Sequence, residues 1–484
     1  MKKEFLLNII LLLGINFLVK PFYLFGVDLH IQNLVGEESY GMYKVLFNIA
    51  FLLQFIHEPG IQSYNSQNIA KNPDQLKIHL PRILGLKSIL GIVYFVLALG
   101  YFFYRGYDPL LLNLMVFTTI NIFLSSVFVY LRTNIAAIGK YRIDSMISSL
   151  DKILMLIILG YLSYTSPYKD NFQIIWLAYG QFFAFVISCI VALVILYKHL
   201  GTLSITFSSK YSKDLLKASL PFALVLLTMS AYTRMDSIML EHLLDDNGFE
   251  SGVYEYGYRF LDAMNMIGYL FAALLIPMFA SNLKNKKVIN DLVDTGLRTM
   301  TVITFVGAST LITFRKEIME WSKAGGVDYD GDIILYLMLS FIMISMAYIF
   351  GSLLVANKNL KRLNILFIIG VLINFILNYW QIPLDKALGA AKSTFITQTI
   401  MTLGQAYLAI SLLKIKIGKR ILVNMAIFGL FCALLSWVVS VYSPIEWWYN
   451  IILYICVTLF FAFISGLMDI KLFISLLKKE KAEI

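Results

Sequence analysis

Apolar runs about as long as a bilayer-crossing helix, separated by short polar stretches, recur from residue 5 to residue 470. A membrane-spanning helix needs about 20 mostly apolar residues. The runs predict such helices near 5–27, 42–60, 83–103, 110–131, 144–164, 172–197, 216–240, 252–280, 297–315, 333–356, 361–382, 387–413, 420–441 and 447–470. The expected fold is all-α, a polytopic integral membrane protein of about 14 transmembrane helices. The longest connections, around Gly201 to Leu215 and Asn282 to Leu297, leave no room for a soluble domain. Composition agrees: at 59% hydrophobic, 14% charged and a mean hydropathy of +0.75, there is too little polar surface to cover a soluble globule.

The net charge of +10 would suit nucleic acid or an acidic substrate, but its placement explains most of it. If Lys2 and Lys3 are cytoplasmic, the loops of that side hold 27 of the 40 basic residues, including Lys71, Arg132, Lys210, Lys286, Lys358, Lys416 and the tail Lys471 to Lys481. The opposite loops hold six: Arg105, Lys169, Arg315, Lys316, Lys323 and Lys386. By the positive-inside rule both termini are then cytoplasmic and Glu37 and Asp246 lie outside. The first apolar run is too long for a cleavable signal, and no small-residue cleavage site follows it. Cys189, Cys432 and Cys456 fall in apolar helices and imply neither a disulfide framework nor a metal site.

The chain resembles itself at an offset of just over two hundred residues. Gly41-Met-Tyr-Lys44 answers Gly252-Val-Tyr254, which leads on to Arg259, and Ala137 to Arg142 answers Ala356 to Lys361. The simplest account is two pseudo-symmetric six-helix lobes around a central cavity plus two C-terminal helices. The expected divisions are 1–200 (helices 1–6), a cytoplasmic linker at 201–215, 216–413 (helices 7–12), and 414–484 with helices 13 and 14 and a basic tail. Lobes that enter from the same side are related by an axis along the membrane normal, with binding expected between them.

Seven basic residues remain within helices: Lys20, Lys44, Lys87, Lys152, Arg234, Arg259 and Lys392. A cation at the bilayer centre costs about 2.5–3.5 kcal/mol on insertion scales, so it faces water or a partner. Counted along the predicted helices, Lys20 and Arg234 lie past the midplane, Lys44 and Arg259 enter from the outer side, and all four converge on one level. Lys44 could snorkel to the outer head groups, and Arg259 could pair with Glu255 or Asp262 on its own helix face. Lys87 and the Asp151-Lys152 pair lie near the cytoplasmic face and read as structural, while Lys392 has Asp385 within reach. Among the acids, Asp236, Glu58 and Asp262 are candidates for ion coupling, because a carboxylate that protonates need not carry its charge across the membrane. Tyr254 and Tyr258, beside Arg259, could stack on sugar rings, and Asn374 and Asn378 read as interhelical hydrogen-bonding groups.

Missing motifs also discriminate. There is no G-x-x-x-x-G-K-[ST] loop for nucleotide phosphates, no His/Cys metal spacing and no G-x-S-x-G. No large outer loop could house a glycosyltransferase or polymerase site, so an enzyme is not expected, nor is a cofactor, a metal, ATP drive or a nucleic-acid partner.

Several stretches carry a family resemblance. Leu34-Val-Gly-Glu-Glu-Ser-Tyr-Gly-Met-Tyr43 with Glu58-Pro-Gly-Ile61, Leu216-Lys-Ala-Ser-Leu-Pro-Phe222 with Met235-Asp-Ser-Ile-Met239, and Asn374-Phe-Ile-Leu-Asn378 with Ile382-Pro383 and Gly389-Ala-Ala391 occur in order. They resemble the bacterial polysaccharide-export (Wzx-type) flippases of the multidrug/oligosaccharidyl-lipid/polysaccharide (MOP) exporter superfamily. The resemblance implies an inverted V of two lobes in the bacterial cytoplasmic (inner) membrane. It implies that an undecaprenyl-pyrophosphate-linked oligosaccharide is moved to the outer leaflet for O-antigen, capsule or exopolysaccharide. It further implies a cationic cavity lined from the first, second, seventh and eighth helices, which here would be Lys20, Lys44, Arg234 and Arg259. A proton or sodium gradient would drive the step, and polymerase and glycosyltransferases of the same pathway would be partners beside membrane lipid. The alternatives are a lipid II flippase, a drug/cation antiporter of the same superfamily, a membrane glycosyltransferase or polymerase, and a membrane scaffold.

Overall fold

The computed structural model describes residues 14–15, 18–62, 64–65, 69, 73–200, 206–323, 328–442 and 446–468, and among them no strand occurs. Eleven helices are long and apolar enough to cross a membrane, and two of these are double crossings. The first, Leu18–Ile56, turns back at Gly36 (φ 80°, ψ 169°), since the Tyr40 hydroxyl reaches Asp28 across the break. The second, Leu360–Leu413, turns back at Lys386 (φ 52°), with Gly370 facing Met401 across it. The 36-residue helix Ser209–Leu244 supplies one crossing more, and the fourteen expected helices are all present.

In chain order they are α1 (18–35), α2 (37–53), α3 (Leu76–Arg105), α4 (Leu112–Ala137), α5 (Tyr141–Thr165), α6 (Ile174–Leu200) and α7 (Ser209–Leu244). Then follow α8 (Phe249–Asn282), α9 (Lys286–Thr313), α10 (Asp328–Ala356), α11 (360–385), α12 (387–413), α13 (Lys419–Tyr442) and α14 (Trp447–Ile464). A short helix, Arg315–Ser322, lies between α9 and α10. The hydropathy pattern misplaces the first hairpin most. A loop was expected over 28–41, yet helix continues through His30 and Gln32 to a turn made by Gly36 alone, whose positive φ suits a residue without a Cβ. The basic tail Lys471 to Lys481, together with Lys2, Lys3 and Lys71, lies outside the described residues.

Packing divides the chain into two compact units, Met1–Glu255 and Tyr256–Ile484. In the N-terminal unit α4 packs along α6, α5 along α6, and α2 along α7. Tyr23, Ile31, Tyr43, Leu46 and Phe102 share its main core cluster. The C-terminal end of α7 is held by Glu241, which takes Arg105 at 3.3 Å and the Tyr107 hydroxyl at 3.1 Å. Burial, reinforced by the charge of Glu241, pushes the Tyr107 phenol above its ordinary pKa and keeps it a donor.

The two glycines that mark the internal repeat touch each other's strands of backbone. A Cβ on Gly41 would lie 1.9 Å from the Gly248 carbonyl oxygen, and one on Gly252 would lie 2.1 Å from that of Glu37. Small residues let helix backbones approach this closely. Gly41→Ala is therefore expected to cost about 1–3 kcal/mol by overpacking, whereas Gly100→Ala, with nothing within 4 Å of its Cβ position, should be neutral. Thermal melts of the two purified variants in one detergent check the contrast.

In the C-terminal unit α10 packs along α11, α12 and α9, while α13 and α14 lean on α9. Val302 and Val306 of α9 meet Phe428 and Cys432 of α13 and Ala462 of α14 in one cluster.

Candidate functional site

The half of the N-terminal unit next to the Gly36 turn holds a ring of polar groups from α1, α2, α7 and the start of α8. Lys44 pairs with Glu255 at 3.2 Å and lies 5.3 Å from the Tyr40 ring, so it is anchored rather than stretched toward head groups. Glu255 also accepts the Ser237 hydroxyl at 3.2 Å. Asp236, 3% exposed, accepts the Tyr254 hydroxyl at 2.9 Å. Gln32 donates to the Gly252 carbonyl at 2.8 Å and closes the ring.

The helix lengths separate the four expected cations. At about 1.5 Å per residue, Lys44 lies about 12 Å from the Gly36 turn, Arg234 about 15 Å from the C-terminal end of α7, and Arg259 about 15 Å from the start of α8. Lys20 lies about 24 Å from Gly36 on the same measure. Lys20 and Lys44, on the two arms of one hairpin, therefore stand at different distances from its turn. The cause is the hairpin: α1 runs eight residues further, to 35, than its apolar run suggests.

Arg234 sits on α7 with its guanidinium 5.2 Å from the Phe51 ring centroid. Arg259, 4% exposed, belongs to the second unit and lies 5.9 Å from the Tyr256 ring. Asp262 follows it by three residues on α8 and is half-buried. Tyr254 and Tyr258 are 1% and 7% exposed, so both rings are enclosed by protein in this conformation. Asn374 and Asn378 are buried, and Asn378 donates to Asn374 at 3.2 Å within α11 itself. Lys392 takes Asp385, as their spacing suggested.

Glu58 has a different setting. It follows α2, accepts the Gln62 backbone N–H at 2.7 Å, and is ion-paired with Lys87 of α3, the two side chains being 4% and 1% exposed. Lys87 also donates to the Ser126 hydroxyl at 3.1 Å and lies 5.6 Å from the Tyr130 ring. Next to it His57, fully buried, meets Tyr94 and Phe123 edge-on.

Two features escaped the sequence reading. Asp28, 4% exposed, ends a π-helical turn, Phe22–Asp28, and accepts from Tyr40. Such turns free backbone groups, and here the Gly26 carbonyl accepts the Tyr164 hydroxyl from a second π turn, Tyr161–Thr165. The signal available was the unbroken apolar spacing past Gly26. The second feature is Arg132, assigned to a loop because the fourth apolar run ends at 131; α4 continues to Ala137 and carries Arg132 on a helix, paired with Asp144 at 3.0 Å.

The architecture is that of known transporters. A lipid II flippase, MurJ, in an inward closed conformation superposes with a TM-score of 0.71 at 16% identity, covering 96% of this chain and 97% of that one. A multidrug resistance MATE family transporter of the MOP superfamily, outward-facing, gives 0.57 at 15% identity, covering 84% and 95%. A MOP superfamily transporter from Pyrococcus furiosus, described as having a binding pocket of reverse polarity, gives 0.59 at 14% identity, covering 84% and 95%. At these identities the likeness establishes a MOP-type fold. Among curated proteins none matches by sequence. Residues 5–283, more than half of the chain, match the family described as "Polysaccharide biosynthesis protein", and the chain belongs to that family.

Proposed function

We propose that this protein moves a polyprenyl-pyrophosphate-linked oligosaccharide from the cytoplasmic to the outer leaflet of the bacterial inner membrane, for assembly of a surface polysaccharide. The observation that carries the reading is the occurrence of helix-borne cations, Lys20, Lys44, Arg234 and Arg259, in a member of the polysaccharide biosynthesis family. A pyrophosphate and its sugars cannot cross about 30 Å of hydrocarbon unaided. Cations held in the helices offset the lost hydration of the phosphates, while the polyprenyl tail stays in lipid. Alternating exposure of two six-helix lobes would carry the head group across without making or breaking a bond. Asp236, Glu58 and Asp262 are the carboxylates available for coupling to a proton or sodium gradient. Both termini would face the cytoplasm, where the glycosyltransferases that build the substrate work.

Purified protein in liposomes should speed the appearance of a polyprenyl-pyrophosphate glycan in the outer leaflet, read by a lectin or glycosidase added outside. Liposomes that fail to move the glycan, yet exchange organic cations for protons, would replace this reading with a cation antiporter.

A further inference from the structure

Lys20 does not stand with Lys44 and Arg234 but with two cations to which the sequence reading gave no role. Lys152 of α5 lies 5.1 Å from the ring centroid of Tyr23, one turn along α1 from Lys20, and 5.7 Å from that of Phe185 on α6. Arg132 of α4 donates to the Ser148 carbonyl, two residues before the stretch of α5 that carries Lys152 begins at Leu150. Three helices of the N-terminal unit thus bring three cations together against two carboxylates, Asp144 and Asp151.

The carboxylates do not consume the donors. Arg132 gives its Nε to Asp144 at 3.0 Å and its Nη1 to the Ser148 carbonyl at 3.4 Å, and its Nη2 bonds to no described residue. Lys152 meets Asp151 at 3.5 Å, a loose pair, and its ammonium is otherwise set against aromatic faces and the Met155 sulfur. Lys20 forms no ion pair among the described residues. It is half-buried on a membrane-crossing helix, where a cation faces water or a partner.

Backbone adds to the same place. Helix α5 breaks after Ile147 and restarts at Leu150, with Ser149 at the cap position making no side-chain cap bond. The Ser149 hydroxyl is fully buried and has no hydrogen-bond partner among the described residues. A helix start presents N–H groups and a positive dipole end that favour an anion. The restarted helix runs for 11 residues and carries Lys152 in its first turn.

We propose that Lys20, Arg132 and Lys152, with the helix start at Leu150, form an anion subsite in the half of the N-terminal unit remote from the Gly36 turn, and that it takes the diphosphate of a polyprenyl-linked substrate. The subsite is separate from the ring around Lys44 and Asp236. On the proposed orientation it lies toward the cytoplasm, where substrate would first engage. The binding chemistry stands on these residues; its place in transport rests on the function proposed above.

The test uses the full-length protein in phosphatidylcholine nanodiscs at low salt, with inorganic pyrophosphate and a short polyprenyl diphosphate as probes. Lys20→Gln and Lys152→Gln should each weaken both probes about tenfold, the size of one charge-assisted hydrogen bond. Lys152→Arg should stay within a few-fold of the unaltered protein and guards against misfolding as the cause. Lys392→Gln, whose partner Asp385 lies in the other unit, should bind as the unaltered protein does. Unchanged affinity in both glutamine variants, or no saturable pyrophosphate binding by the unaltered protein, overturns the subsite. Displacement of the diphosphate by added phosphatidylglycerol at equal molar ratio would overturn the substrate source and assign the site to bulk acidic lipid. If pyrophosphate binds as expected but liposomes move no glycan, the subsite stands and the proposed function falls.

Discussion

Replacing Lys87 by Met is expected to destabilise the protein by about 3–5 kcal/mol, because it strands the Glu58 carboxylate, 4% exposed, without its counter-charge. The Ser126 hydroxyl lies against the lysine at 3.1 Å, and no water reaches a side chain that is 1% exposed. The loss should therefore be far greater than for an exposed pair such as Arg315–Asp332, which is worth about 0–1 kcal/mol. Adding Glu58→Gln to Lys87→Met should recover most of it, since a neutral amide keeps an acceptor for the Gln62 N–H and no charge is left buried. Thermal unfolding of the three variants in one detergent measures the cycle. A small loss in Lys87→Met, with transport that changes its dependence on proton or sodium gradient, would instead make Glu58 a titrating coupling group.

The crossings were legible because a bilayer imposes one rule on every helix, a length of apolar residues, and a hydropathy run reports that length. The places where the reading slipped are those where polar residues are paid for inside the protein. His30, Gln32 and Asp28 made 28–41 look like a loop, yet each finds a partner: Ser163, Gly252 and Tyr40. Arg132 ended a predicted helix for the same reason, and its partner Asp144 lies on the next one. Hydropathy counts the polarity of a residue but not whether a neighbouring helix satisfies it.

The candidate site was legible in kind and not in arrangement. That seven cations sit in helices could be counted, and that Lys392 has Asp385 within reach follows from spacing, whereas Lys87 finds Glu58, 29 residues away, through the packing. Which cations neighbour one another depends on helix pairing, which one chain does not encode locally. Lys44 meets Glu255 two hundred residues away, and Lys152 lies over the ring of Tyr23, one turn from Lys20, on a helix that the sequence flanking Lys20 does not mention. The glycine motifs show the same limit, for the two halves of the repeat Gly41 and Gly252 were visible as likeness but not as contact.

Reversing the charge at Arg234 should separate an anion carrier from a cation carrier more sharply than any truncation. Arg234 lies about 15 Å from the C-terminal end of α7, two residues from the buried Asp236, with its guanidinium near Phe51. If it holds a pyrophosphate by charge-assisted hydrogen bonds, Arg234→Lys keeps the charge but loses the planar fork, and part of glycan translocation should remain. Arg234→Glu sets a negative charge against the substrate where screening is weaker than in water. At about 4 Å and an effective dielectric near 20 the repulsion is about 4 kcal/mol, close to a thousandfold in binding. Translocation should then fall below detection while folded protein remains in the membrane, as read by its size-exclusion peak. A cation antiporter gains from the same change, because the added carboxylate attracts its substrate. Unaltered translocation by Arg234→Glu would remove Arg234 from the anion path, whereas tighter binding of an organic cation by that variant than by the unaltered protein, with no glycan bound by either, would remove the flippase reading itself.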